Sequence, residues 1–161
     1  MQIIKATPAD LPRVMEIYQH ARAFMNANGN GGQWANGYPQ QSLISAGIAQ
    51  GNCYVCVDDG AIIATFYYAK EQDPTYQRIE NGHWLNEKPY GVLHRIAVHS
   101  SKKGIASYCL QWCFAQCGNM RIDTHQHNLP MLRVLEKNGY CHCGIIYVAD
   151  GTPRLAFQKT R

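Results

Sequence analysis

The segment Gly91-Val-Leu-His-Arg-Ile-Ala-Val-His-Ser-Ser-Lys-Lys-Gly-Ile-Ala106 constrains the fold more than any other part of the chain. Tyr90–Val98 is rich in apolar and β-branched residues and predicts a strand. His99–Lys103 is a tight polar loop, and Gly104–Cys117 predicts a helix that Gly118 is placed to end. A helix start gathers unpaired backbone N–H groups and the positive end of the helix dipole. Gly104 and Ala106 let an anion come close to that backbone, and Lys102 and Lys103 add positive charge. The segment therefore reads equally as a phosphate cradle and as an ordinary strand-turn-helix bend.

The other elements follow from periodicity and turn chemistry. Gln2–Ala6 is a strand candidate, and Thr7-Pro8-Ala9-Asp10 looks like a helix start. Leu11, Val14, Met15, Tyr18, Ala21 and Met25 recur at helical spacing. Asn26–Gly37 is a Gly- and Asn-rich loop, and Pro39–Gln50 predicts a second helix. Cys53–Val57 and Ala61–Ala69 are strands around Asp58-Asp59-Gly60, a strong hairpin signal. Lys70–Pro89 is irregular, with room for a helical turn after Pro74. Arg121–Thr124 is a strand and Leu129–Asn138 a helix closed by Gly139. Tyr140–Val148 and Pro153–Gln158 form a last hairpin around Asp150-Gly151. The order β-α-α-β-β-β-α-β-α-β-β predicts one mixed α/β domain over residues 1–161.

Composition narrows the function. Apolar residues make up 46% of the 161 and charged residues 16%, enough to bury a core. The net charge of +4 is scattered except at Lys102-Lys103, which argues against nucleic acid as a partner. No apolar run approaches the roughly 20 residues of a membrane helix, and Met1–Ala6 reads as a strand instead of a leader. Seven cysteines, an odd number, read as reduced thiols in a cytoplasmic protein. Cys109, Cys113 and Cys117 share one apolar helix face with Leu110 and Phe114, which points to packing. No metal is expected, because Cys141, Cys143, His125, His127 and His142 lack the paired spacing of structural zinc sites.

A second motif lies downstream. Arg121-Ile-Asp-Thr-His-Gln-His-Asn-Leu-Pro-Met-Leu-Arg-Val-Leu-Glu-Lys-Asn-Gly-Tyr140 is a strand, a polar segment and a helix running into Glu-Lys-Asn-Gly-Tyr. In this order and at this separation, the two motifs resemble the signature motifs of the GNAT superfamily of N-acetyltransferases. The opening Ile4-Lys-Ala-Thr-Pro-Ala-Asp-Leu-Pro12 and the order of elements are similar too, so the resemblance covers nearly the whole chain.

The resemblance implies a mostly antiparallel twisted sheet with helices on both faces. A parallel central strand pair, near Val98 and Arg121, would splay to admit acetyl-CoA, the acyl donor. Backbone groups of Ile96-Ala97-Val98 would hold the pantetheine arm as an added strand does. Ser101, Lys102, Lys103, Gly104, Ile105 and Ala106 would hold the pyrophosphate. Asn128 would contact the pantetheine or keep the strands apart. The acceptor would be a primary amine of a small molecule or peptide, acetylated by direct transfer in a ternary complex by a monomer or homodimer. Three departures stand out: a shorter loop, Ser101 where Arg or Gln usually opens the loop motif, and Leu135 where many members carry a proton-donating tyrosine. The last makes a non-catalytic acyl-CoA-binding or sensing module the alternative.

Amine acylation needs a neutral amine, a polarised carbonyl and a proton for the leaving sulfur. His94 and His125 are the candidate bases, at the ends of the two central strands. Each reads equally as a structural histidine. His94 shares strand parity with Val92, where family members often carry a glutamate. Asp123 could orient His125 or bind a cationic substrate. Trp34, Tyr38, Tyr67 and Tyr76 are candidates to line the acceptor pocket, although an aromatic taken singly more often serves packing. Asp73 and Glu80 could recognise an amine, although solvated charges are the plainer reading.

Overall fold

A computed structural model describes residues 1–161. It has the expected element order: β1 (Gln2–Lys5), α1 (Leu11–Ala27), α2 (Gln41–Ala49), β2 (Cys53–Asp58), β3 (Ala61–Lys70), β4 (Gly91–Val98), α3 (Ile105–Cys117), β5 (Asn119–Thr124), α4 (Leu129–Lys137), β6 (Cys141–Tyr147) and β7 (Pro153–Thr160). Short 3-10 turns occupy Pro8–Asp10 and Pro74–Tyr76. The seven strands follow the order β1-β2-β3-β4-β5-β7-β6. No helix is long and apolar enough to cross a membrane.

The chain forms two compact units, Met1–Tyr68 with His94–Cys109, and Ala69–Leu93 with Leu110–Arg161. In the first, β1, β2 and β3 are antiparallel neighbours, with Ile4 opposite Val55 and Val55 opposite Thr65. Asp59 (φ 48°) and Gly60 (φ 78°) form the two-residue turn between β2 and β3. Positive φ at both central residues matches strand twist, which is why Asp-Gly marks such hairpins. Val14, Ile17 and Tyr18 recur along one stripe of α1 and are buried. They join Ile44 and Ile48 of α2, Cys53 and Val55 of β2, Trp34 and Ala97 in one core. The helix starts later than Thr7 suggests. Asp10 reaches back to accept from the Thr7 N–H at 2.8 Å, and the 3-10 turn precedes α1. It also runs to Ala27, past the first residues of the expected loop.

In the second unit β7 is paired antiparallel to both β5 and β6. β4 is paired parallel to β5 through Gly91 with Met120 and Val92 with Arg121. α4 buries Met131 and Leu135 and ends at Gly139, whose φ of 78° suits glycine. There the Tyr140 N–H bonds the Leu135 carbonyl and the Gly139 N–H bonds that of Glu136, closing the helix as a Schellman motif. Lys70–Pro89 is pinned to β6 where Glu80 and Ile145 exchange backbone hydrogen bonds at 2.9 and 2.8 Å. Gly82 must be glycine there, since a Cβ would lie 1.9 Å from the Cys143 carbonyl oxygen.

Candidate active site

In the first unit the decisive local feature is Arg95, in β4 with φ 55°. A non-glycine residue adopts this conformation only when its surroundings impose it. Tyr18 of α1 supplies part of that constraint, its buried hydroxyl donating to the Arg95 carbonyl at 2.8 Å. Burial pushes the Tyr18 phenol far above its ordinary range, so it stays a donor. In a regular strand His94 and Arg95 would face opposite sides. Here both meet Tyr67: the His94 ring stacks 5.9 Å away and the Arg95 guanidinium lies 4.9 Å from the ring centre. Asn52 donates to the Tyr67 hydroxyl at 3.4 Å. His94 and Tyr67, expected in different roles, are therefore brought together.

Trp34 is 7% exposed and sits edge-on to Tyr18 at 5.6 Å, inside the core. Tyr38 packs against it at 6.4 Å. Ile96 and Val98 are half-buried while Ala97 enters the core.

The loop after β4 distributes its charge differently from the sequence expectation. Lys102 Nζ pairs with Asp58 Oδ2 at 2.7 Å, and the chain's amino terminus lies 3.4 Å from Asp58 Oδ1. The hydrogen bond to Lys102 holds the Asp58 carboxyl below its usual range and lifts the Lys102 ammonium. The Lys102 N–H is also engaged, donating to Ser100 Oγ at 3.1 Å. Ser101, Lys103 and Gly104 are exposed. Gly104 has φ 84°, and a Cβ there would meet nothing within 4 Å. The first bond of α3 runs from the Tyr108 N–H to the Gly104 carbonyl, so the N–H groups of Ile105 and Ala106 precede the helical ladder. An open approach, a helix start and an exposed lysine fit a diphosphate.

In the second unit Asn128 caps α4, its side chain accepting from the Met131 N–H at 3.3 Å. Asp123 Oδ1 accepts from the Tyr76 hydroxyl at 2.6 Å. Tyr76 is 1% exposed, and burial with the adjacent Asp123 charge raises its phenol well above the ordinary range. His125 Nδ1 accepts from the His127 N–H at 3.0 Å. That bond puts the proton of the neutral ring on Nε2. Burial first, then Arg154 and His127, lower the His125 pKa below the ordinary histidine value. Leu135 is fully buried.

Asp73 caps its own turn through Thr75, and Glu80 accepts from Tyr147 and Arg78. Burial lifts the Cys53, Cys56, Cys109 and Cys143 thiols, as expected of packing residues. Sequence reasoning missed Tyr18 and Arg95, because neither carries a glycine or proline signal. It also missed Trp84, Tyr90 and Arg121, although Trp84 in an otherwise irregular stretch was a usable hint.

Residues 14–140 match the model of the GNAT acetyltransferase family. A GNAT-family acetyltransferase of Streptococcus agalactiae is 31% identical, with a TM-score of 0.92 over 99% of this chain and 95% of that one. A phosphinothricin acetyltransferase of Sinorhizobium meliloti, solved in complex with acetyl-CoA, shares the fold at 16% identity, with a TM-score of 0.67 over 98% of this chain and 86% of that one. The yncA protein of Salmonella typhimurium, solved with its cofactor acetyl-CoA, does so at 14% identity, with a TM-score of 0.67 over 99% and 93%. No curated protein matches. With the family model spanning most of its length and the fold carried throughout, the chain belongs to the GNAT acetyltransferase family.

Proposed function

We propose that the protein is an acetyl-CoA-dependent N-acetyltransferase acting on a primary amine of a small molecule or peptide by direct transfer in a ternary complex. The observation that carries this reading is the start of α3. Gly104 leaves open space before a helix whose first N–H groups lie outside the helical ladder, beside the exposed Lys103. Bound acetyl-CoA supplies an activated acetyl thioester. The N–H groups from Lys103 to Ala106 bind its diphosphate, with Lys103 instead of Lys102 as the side-chain cation. Backbone groups of Ile96 and Val98 hold the pantetheine arm, and Asn128 serves the same molecule in addition to capping α4.

His94 is the base, taking a proton from the acceptor ammonium directly or through water. His125 suits the opposite task. With Nδ1 occupied by the His127 N–H, its Nε2–H is a donor and can hydrogen-bond a leaving thiolate. An ordinary thiol has a pKa of about 8.5, so full protonation by an enzyme acid is not required. Tyr67 lies against His94 and lines the acceptor side; Tyr38 packs on Trp34 at the edge of the core. Direct transfer is supported by the burial of Cys53, Cys56, Cys109, Cys113 and Cys143, which makes these five poor acyl carriers and leaves Cys117 and Cys141 as the accessible thiols.

Because the family match runs through segments of both compact units, we read residues 1–161 as one domain. The seven free thiols support a cytoplasmic protein. We assign it no nucleic acid partner and the state of a monomer or homodimer.

Leu135 favours one second reading, a non-catalytic acyl-CoA-binding module, because it puts an apolar side chain where many members donate a proton. Calorimetry with acetyl-CoA, followed by free-thiol release on mixing with an amine library, separates the two. Binding with thiol release supports the enzyme, binding without release supports the module, and no binding refutes both.

A further inference from the structure

The Lys70–Tyr90 stretch and β5 enclose a cleft of about 630 Å3, within the range of small-molecule sites. Alternation along β5 turns Asn119, Arg121 and Asp123 toward that stretch, where they meet Pro89, Asn86 and Tyr76 respectively. Tyr76, Trp84 and Tyr90 give the cleft an aromatic lining, with ring centres 5.3 Å (Tyr76–Trp84) and 6.3 Å (Tyr76–Tyr90) apart. Arg121 also lines it and is 4% exposed. Its guanidinium carbon lies 4.4 Å from the Trp84 ring centre and 4.2 Å from that of Tyr90. One terminal nitrogen donates to the Asn86 carbonyl at 2.6 Å, while the buried Nε has no acceptor.

A buried guanidinium held by rings, the Tyr90 hydroxyl and a carbonyl, with Glu87 as a nearby charge but no carboxylate in ion-pair contact, carries a desolvation cost that a close counter-ion normally offsets. Burial draws its pKa down accordingly. Lys70 and Lys88 are exposed at the same cleft, and so are Glu71 and Glu87. That balance suits a singly charged anion on a molecule that also bears a cation, since a second negative charge would meet the glutamates.

We infer that this cleft recognises the carboxylate of an amino-acid acceptor, with Arg121 as its counter-ion and the acceptor side chain against Tyr76, Trp84 and Tyr90. The inference rests on the acetyltransferase reading and narrows its substrate to a carboxylate-bearing amine. Arg121 is a specificity residue here and takes no part in moving protons.

The test is calorimetry of the intact protein, with and without CoA, against the common amino acids. For each that binds, the methyl ester is compared, because it keeps the amine and removes the negative charge. The expected result is binding by amino acids with apolar or aromatic side chains, at least tenfold weaker for their esters. Arg121→Gln should lose most of that discrimination. Lys88→Glu, on an exposed residue, should weaken the acids several-fold with an unchanged melting temperature, and it decides the matter if Arg121→Gln does not fold. The proposal is overturned if no amino acid binds at millimolar concentration, if esters bind as well as acids, or if both variants keep the discrimination. Arg121 would then be only a clamp holding Trp84, Tyr90 and Asn86 to β5. Thiol release with amines lacking a carboxylate, and none with amino acids, overturns this inference while leaving the transferase reading intact. Failure to bind acetyl-CoA overturns the transferase reading instead.

Discussion

Replacing Gly104 by alanine separates a cofactor cradle from a simple bend. The residue holds φ 84°, and a Cβ there meets nothing within 4 Å. The folded protein alone thus pays only for left-handed backbone, roughly 1–2 kcal/mol for a non-glycine residue. For a chain of this size each kcal/mol lowers the melting temperature by about 2–4 °C. Gly151 is a matched control, with φ 83° and the same open surroundings. Its alanine variant should melt like the Gly104 variant. Acetyl-CoA affinity should distinguish them, because the methyl at 104 would occupy the space of an approaching phosphate. Losing one charge-assisted hydrogen bond costs about 1.5–3 kcal/mol, or roughly 10- to 100-fold in affinity. Gly104→Asp adds a like charge, about 4 kcal/mol at ~4 Å with an effective dielectric of ~20, and should abolish binding. Calorimetry and thermal melts on the three variants read both quantities. If Gly104→Ala binds acetyl-CoA as tightly as Gly151→Ala does, the start of α3 is not the cradle.

Asn128→Ala should cost about 1 kcal/mol through the lost cap, whereas Asn128→Ser should keep wild-type stability. If Asn128 also serves the donor, the serine variant will still bind acetyl-CoA more weakly. His94→Ala should lower turnover far more than acetyl-CoA affinity; full turnover in that variant would return His94 to a structural role. Stability should rise with pH between about 5 and 7. Burial, His20 and Arg13 lower the pKa of His99, whose Nδ1 lies 3.3 Å from an Arg13 nitrogen and whose ring stacks on His20 at 3.9 Å. Below its unfolded value of about 6.5 the unfolded chain binds the proton more readily, so stability is full above that pH and falls beneath it. Urea midpoints across this range should show a slope that His99→Gln flattens.

The order of the elements was legible because local chemistry marks it. Asp59-Gly60 names its turn, Gly118 and Gly139 stop their helices, and the apolar stripe of α1 declares itself through Val14, Ile17 and Tyr18. The two signature segments also pointed to the right family. What sequence could not supply were facts created by partners distant in the chain. Lys102 looks like a free cation until Asp58, 44 residues away, claims it. Nothing local to Asp123 announces that Tyr76, 47 residues away, donates to its carboxylate. Trp34 is open in sequence to both a pocket and a packing reading, and its place against Tyr18 in the core depends on a partner 16 residues away. Lys70–Pro89 carries no periodicity, so its cleft becomes visible only once Glu80 and Gly82 are docked on β6.

The bond from Tyr18 to the Arg95 carbonyl has a genetic consequence. The left-handed turn at 95 is an arginine conformation held from outside, and part of the hold comes from a helix 77 residues earlier in the chain. Tyr18→Phe should therefore damage the placement of His94 and Arg95 beyond the loss of one hydroxyl. Arg95→Gly would remove the conformational penalty, although it also removes the guanidinium from Tyr67. The two positions should behave as an epistatic pair: the glycine should rescue strand geometry in the phenylalanine background. Descendants of this chain that lose the tyrosine are then expected to have acquired glycine at the kink first.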